Sequence, residues 1–169
     1  MTYTAPGAAT FVRKGGSLSS KITSELSLID TELDTLAASD AAGLKVARVA
    51  LEGGDVNAFA FAWENPETSK IIVSRVVVDV TTTSATPGAL LDVGPGATAE
   101  THSDTLIDGL DIATAVICAD NIINKGSNGR FLCTLDAAGG TTAYITGQIL
   151  AQNAAELAGY AYIFYHKVS

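Results

Sequence analysis

Between Lys70 and Val80 the chain sets Ile71, Ile72, Val73, Val76, Val77, Val78 and Val80 within eleven residues. A helix crowds β-branched side chains against its preceding turn, whereas a pleated strand accommodates them, so this segment reads as a long strand. A lone strand is not stable in water, and the rest of the chain must supply partners. Candidates follow Gly43 in steady succession: Leu44 to Leu51, Val56 to Trp63, Ala89 to Val93, Ala97 to Thr101, Thr105 to Ile107, Ile112 to Cys118, Arg130 to Leu135, Ala143 to Leu150 and Gly159 to Lys167. Turn residues separate them, notably the Thr-rich stretch from Thr81 to Gly88, Gly94-Pro95-Gly96 and Gly126-Ser127-Asn128-Gly129.

Eight to ten short strands with no βαβ alternation favour an antiparallel β-sandwich over residues 44–169, and eight strands in two sheets is the jelly-roll count. An immunoglobulin-like sandwich fits less well, because Trp63 precedes both Cys118 and Cys133 and the Cys…Trp…Cys order fails. In the second strand Asn57, Phe59, Phe61 and Trp63 alternate onto one face; in the last, Tyr160, Tyr162, Phe164 and His166 oppose Ala161, Ile163 and Tyr165. Neither face of the last strand is strongly polar, which predicts packing on both sides.

Two different segments precede the strands. Residues 1–17 hold Gly, Ala, Thr and Pro with isolated Tyr3 and Phe11, and show no periodicity, so they read as an extended arm. Residues 18–43 read as an amphipathic helix from Ser19 to Ala42, stopped by Gly43, with Ile22, Leu26, Ile29, Leu33 and Leu36 on one stripe. The blocks 24–30 and 31–37 repeat one heptad with Leu at a and mainly Ile at d, a choice that favours three or four helices over two. Trimerisation through this stripe and docking of the helix on a β domain both stay open. The segment covers little more than two heptads and Thr23, Glu25, Asp30 and Glu32 offer no basic partner, which weighs toward docking.

Composition bounds the partners. Hydrophobic residues make up 47% of the 169 residues and charged ones only 17%, too apolar for disorder and thin in charge for a solvated monomer, so part of the surface is expected to be covered. The formal charge of -8 disfavours nucleic acid and anionic membrane as partners. No apolar run reaches the length that spans a bilayer, and residues 1–17 lack the apolar core of a secretory signal. A soluble protein made in a cytoplasm is expected, with Cys118 and Cys133 as reduced, buried thiols.

Chemistry is sparse. His102 and His166 are the two histidines and neither has a partner at metal-ligand spacing; the fourteen residues between the cysteines are unlike zinc spacing. Asp104, Asp108 and Asp111 make an oxygen-rich loop without the twelve-residue calcium pattern, and read as a solvated turn. No G-x-S-x-G, G-x-x-x-x-G-K-[ST] or G-x-G-x-x-G signature is present. Paired carboxylates for glycoside hydrolysis depend on a spatial separation that sequence hides. The expectation is no catalytic residue, no metal and no cofactor. Trp63, Tyr144, Tyr160, Tyr162 and Tyr165 offer a glycan-binding platform, but aromatics at alternating strand positions are more often core.

The phrases at 61–67 (FAWENPE), 71–82 (IIVSRVVVDVTT), 105–111 (TLIDGLD) and 159–165 (GYAYIFY) resemble small structural proteins of tailed bacteriophages, in particular capsid decoration or cement proteins. The resemblance implies a jelly-roll-like domain docked outside an icosahedral head, contacting the major capsid protein, as a homo-oligomer, trimer or dimer. It implies a place on the capsid exterior of a virion assembled in the host cytoplasm. Within it, Tyr3, Phe11, Val12, Arg13 and Lys14 are the candidate capsid-binding residues of the arm. The alternative is a trimeric tail-fibre or receptor-binding module with the helix as stalk and the sandwich as a sugar-binding head.

Overall fold

The computed structural model describes residues 27, 43–115 and 117–168. The expected arm and helix therefore lie outside the described residues, apart from Ser27, which is helical and exposed, and Gly43. The chain divides into Met1–Ala41 and Ala42–Ser169, and the second unit holds every strand below.

Among the described residues nine strands form: β1 Lys45–Glu52, β2 Phe59–Glu64, β3 Ile71–Thr82, β4 Leu90–Gly96, β5 Ile107–Asp111, β6 Ile117–Asp120, β7 Cys133–Leu135, β8 Tyr144–Leu150 and β9 Ala158–Lys167. All pair antiparallel, in two sheets. The first runs β1-β9-β3-β6, with β7 also on β3; the second runs β2-β8-β4-β5. Their inner faces share one apolar core, so the domain is a mainly β sandwich.

The long β-branched strand organises the first sheet. Ile71, Val73, Val76, Val78 and Val80 are all fully buried. Their spacing steps by three once, at Ser74-Arg75, and the register on β9 shifts there from Val73↔Tyr165 to Arg75↔Phe164, so the bulge keeps the apolar residues on one face. On its other edge β3 is long enough to take two short strands end to end: β7 against Ile71–Val73 and β6 against Val77–Val80.

Several expectations move by a few residues, and each shift has a local cause. Val56 and Asn57 turn before β2 starts: Asn57 has φ 71°, and Ala58 N–H donates to Asp55 O at 2.9 Å. A bulge then sets Phe59 opposite Gln148 and Phe61 opposite Gly147, neighbours that face opposite ways, so the two rings do not share the face the alternation predicted. The Phe61 ring occupies the space a side chain at Gly147 would take. β4 runs through Gly94-Pro95-Gly96, predicted as a turn; Pro95 pairs only with Ile145 of β8, because the β5 pairing has ended at Val93. Residues 97–101 are a turn, tied by Thr98 N–H to Thr101 Oγ1 at 3.1 Å and Thr101 N–H to Thr98 O at 3.3 Å. Asp111 caps another turn through Ala113 N–H at 2.8 Å and the Thr114 hydroxyl at 2.7 Å, which confines β6 to Ile117–Asp120. On β9 the inward row is buried and the outward Tyr160, Tyr162 and Phe164 are half-buried, so packing on both sides is not seen among the described residues.

Gly159 sits where β9 passes between β1 and β3. Its φ is 154°, and a Cβ there would lie 2.0 Å from Asp79 O. Gly159→Ala is expected to lower stability by about 2–4 kcal/mol, seen as a lower urea midpoint with unchanged m.

Candidate functional site

The expected site residues Tyr3, Phe11, Val12, Arg13, Lys14, Ile22, Leu26, Ile29, Leu33 and Leu36 all lie outside the described residues. Within the sandwich three features concentrate polar chemistry or exposed apolar surface.

The first is an acidic corner. Asp92 of β4 is buried; Gly109 N–H donates to its Oδ1 at 2.7 Å, and His102 Nε2 lies 2.9 Å from its Oδ2. Asp104 accepts Asn128 Nδ2–H at 2.7 Å and Asp108 accepts Asn128 N–H at 3.1 Å. Ligand oxygens of Asp92, Asp104 and Asp108 all lie within 4.8 Å of one another, a donor set suited to a hard cation. Donors of the protein already bind each of these carboxylates, and the group cross-links β4, the β5 region and the loop after β6. The sequence placed Asp111 with Asp104 and Asp108; here Asp92 takes that position while Asp111 caps its own turn. The available signal was an aspartate inside the apolar run Ala89-Leu90-Leu91-Asp92-Val93, since a buried carboxylate needs partners.

The second is the loop joining β6 to β7, where the sequence predicts a turn at Gly126-Ser127-Asn128-Gly129 and a strand from Arg130, whereas β7 starts only at Cys133 because the Asn121 side chain takes the carbonyls of Arg130 and Phe131. Asn121 is fully buried: its Oδ1 accepts Val76 N–H at 2.8 Å, and its Nδ2 donates to Arg130 O at 3.1 Å and Phe131 O at 2.9 Å. Asp120 accepts Ile122 N–H at 2.9 Å and Ile123 N–H at 2.8 Å on one oxygen and the Arg75 guanidinium on the other. Burial alone pushes the Asp120 carboxyl up, but the Ile123 amide, Arg75 and the Ile122 amide together outweigh it and hold it below the ordinary value. Gly126, at φ 68°, turns the loop where a Cβ would lie 2.2 Å from Asp108 O. The result is a rigid knuckle whose Ile122, Ile123, Phe131 and Leu132 face water. Lys125 Nζ sits 5.2 Å from the Phe131 ring centre.

The third is the outer face of the five-stranded sheet. Val46↔Phe164, Arg48↔Tyr162 and Ala50↔Tyr160 lie side by side, continued on β3 by Val77 opposite Tyr162. Arg48 stands 4.6 Å over the Tyr160 ring, and the Tyr160 and Tyr162 rings are 6.3 Å apart. The aromatics considered together as a platform are thereby split: Tyr160 and Tyr162 face out, whereas Tyr165 is buried and makes a tilted ring contact at 5.2 Å with Trp63, which packs against the core.

The cysteines are free and far apart in register, Cys118 beside Asp79 and Cys133 beside Val73, six residues or about 20 Å along β3. The expectation of two buried thiols is corrected for Cys118, which is exposed because β6 is an edge strand and this residue faces outward. Burial pushes the Cys133 thiol up to about 12.

Two outcomes follow. Only the thiolate attacks a disulfide reagent, so in the native protein at pH 8 one thiol, Cys118, should react readily, and Cys118→Ser should leave essentially no fast-reacting thiol. The depressed Asp120 carboxyl contributes stability that is complete above the ordinary carboxylate range near pH 4 and is lost as pH falls through the folded value. Urea midpoints measured from pH 6 down to pH 2.5 should therefore fall in the wild type, and fall less steeply in Asp120→Asn, which starts lower at pH 6. No protein-family model, curated protein or solved structure matches this chain.

Proposed function

We propose that this chain is a structural virion protein that binds the outer surface of a tailed-phage capsid and stabilises the shell. The observation that carries the reading is the outer face of the five-stranded sheet, where Tyr160, Tyr162, Phe164, Val46 and Arg48 stand exposed or half-buried on a rigid support. Tyrosine, phenylalanine and arginine are enriched where protein surfaces meet, and here they sit on paired strands instead of mobile loops, so docking costs little ordering entropy. The strand order supports a jelly roll: β1-β9-β3-β6 facing β2-β8-β4-β5 is the arrangement of two interleaved Greek keys, with β7 as an addition. Jelly rolls serve in viral shells and in lectins alike, so the fold supports the reading by analogy only.

In this reading the sandwich bridges neighbouring shell subunits, and many modest contacts add up through high effective concentration. The arm 1–17, with Tyr3, Phe11, Val12, Arg13 and Lys14, supplies a further segment that orders on docking. The reaction expected of the protein is none; its work is mechanical resistance to internal pressure.

The test is copy number. Particles of the encoding phage are sedimented and this chain is quantified against the major shell protein by gel densitometry. A molar amount comparable to the shell subunit is expected. A few copies per particle favour the tail-fibre or receptor-binding module, and absence from particles overturns both.

A further inference from the structure

Two surfaces on the sandwich are unexplained by the core, and they lie at opposite edges of the five-stranded sheet. At the β6/β7 edge projects the knuckle, with Ile123 81% exposed, Phe131 59% and Leu132 57%. Its conformation is fixed from beneath by Asn121 and Asp120, so these side chains are held in water and not left there by disorder. Two cations flank it, Lys125 and Arg130, and neither forms an ion pair among the described residues.

At the opposite edge, where β1 and β2 end their sheets side by side, lies a groove of about 720 Å³. Small and apolar side chains line it, among them Ala50, Phe59, Ala62 and Ala99, and the carboxylates Glu52 and Glu100 stand on its rim. Neither carboxylate forms an ion pair among the described residues. Both groove walls are edge strands, and an uncovered edge of this kind is a liability that proteins ordinarily blunt or cover.

We propose that the occupant of this groove is the knuckle of a second copy of the chain. The match is one of charge beside apolar side chains: Ile123 and Phe131, flanked by Lys125 and Arg130, meet a recess containing Ala50, Phe59 and Ala62 beside Glu52 and Glu100, and none of the four charges forms an ion pair among the described residues. A twofold contact of like with like would oppose cation to cation or anion to anion, and is disfavoured. Because projection and recess lie at opposite edges of one rigid sandwich, two copies do not satisfy both contacts at once. Association is therefore head-to-tail, and it joins three or more copies in a ring or an open row. Apolar burial supplies the attraction, and the charged flanks set the register and steer the encounter. This inference is independent of shell binding, since it concerns the chain alone in solution.

The experiment is sedimentation velocity on the full chain at micromolar concentration, with two variants. Ile123→Asp spoils the projection; the double variant Ala50→Arg/Glu100→Lys spoils the recess. All three positions are solvent-facing, and far-UV dichroism with a urea midpoint close to wild type verifies folding. Wild type is expected to sediment as an assembly of three or more copies, each variant alone as a single chain, and an equimolar mixture of the two as a one-to-one dimer. That last species arises only from a head-to-tail contact, in which one intact projection meets one intact recess. A monomeric wild type overturns the proposal. So does a variant that keeps the wild-type mass, because assembly then resides elsewhere in the chain, and so does a mixture that stays monomeric. Loss of particle binding by Ile123→Asp with a monomeric wild type would assign the knuckle to the shell instead and equally overturn self-association.

Discussion

Backbone pairing along β3 is the constraint on which the first sheet depends. Its inner face contributes five fully buried β-branched residues, each worth about 1.5–3 kcal/mol in apolar burial, and its two edges hold β9 on one side and β6 and β7 on the other. The bulge at Ser74-Arg75 does more than preserve the apolar phase. It turns Arg75 outward beside Asp120, and it leaves the backbone of Val76 available to Asn121 in the gap between β6 and β7. One irregularity in the central strand thus sets the position of the loop that projects from the sheet edge.

Buried polar side chains hold the loops as the apolar core holds the strands. Asn65, fully buried after β2, donates to Ser69 O at 3.1 Å and to Asp136 O at 2.7 Å while accepting Glu67 N–H at 3.0 Å, tying the β2–β3 turn to the segment after β7. Asn121 does the same beneath the knuckle, and Asp92 beneath the acidic corner. Among the described residues no buried side-chain nitrogen or oxygen lacks a partner. Such satisfaction matters because a half-satisfied buried amide or carboxylate costs more than an apolar side chain in its place. The long turns of this sandwich are consequently held by specific side-chain hydrogen bonds as well as by apolar burial.

What was legible in the sequence follows from the range of the forces involved. Ile71–Thr82 and Ala158–Lys167 were plain because β-branching and alternation are local, and the mainly β sandwich follows from counting such segments. The bulge that turns Phe59 away from Phe61 was hidden, since it is set by the partner strand: only the pairing of Phe61 with Gly147 makes room for the ring. Pro95 misled for the same reason, because whether a proline interrupts a strand depends on which of its edges is paired. The acidic corner was half legible. Asp104 and Asp108 are near in sequence, but Asp92 and Asn128 reach them from other segments and only the fold supplies that proximity.

The knuckle shows why exposed apolar side chains on an ordered loop carry more meaning than the same residues on a loose one. A flexible loop can turn its isoleucines inward against the nearest apolar surface and so lower its own free energy. The loop between β6 and β7 lacks that freedom: Asp120 fixes the amides of Ile122 and Ile123, and Asn121 fixes the carbonyls of Arg130 and Phe131. The folding energy of the β6/β7 edge is in this way used to hold apolar groups in solvent, and a partner that covers them meets a surface already ordered. Binding then forgoes most of the conformational entropy that it would otherwise lose, leaving translational and rotational freedom as the main opposing cost. On the proposed contact, the same network that stabilises the edge of the sheet also pre-orders it for its partner.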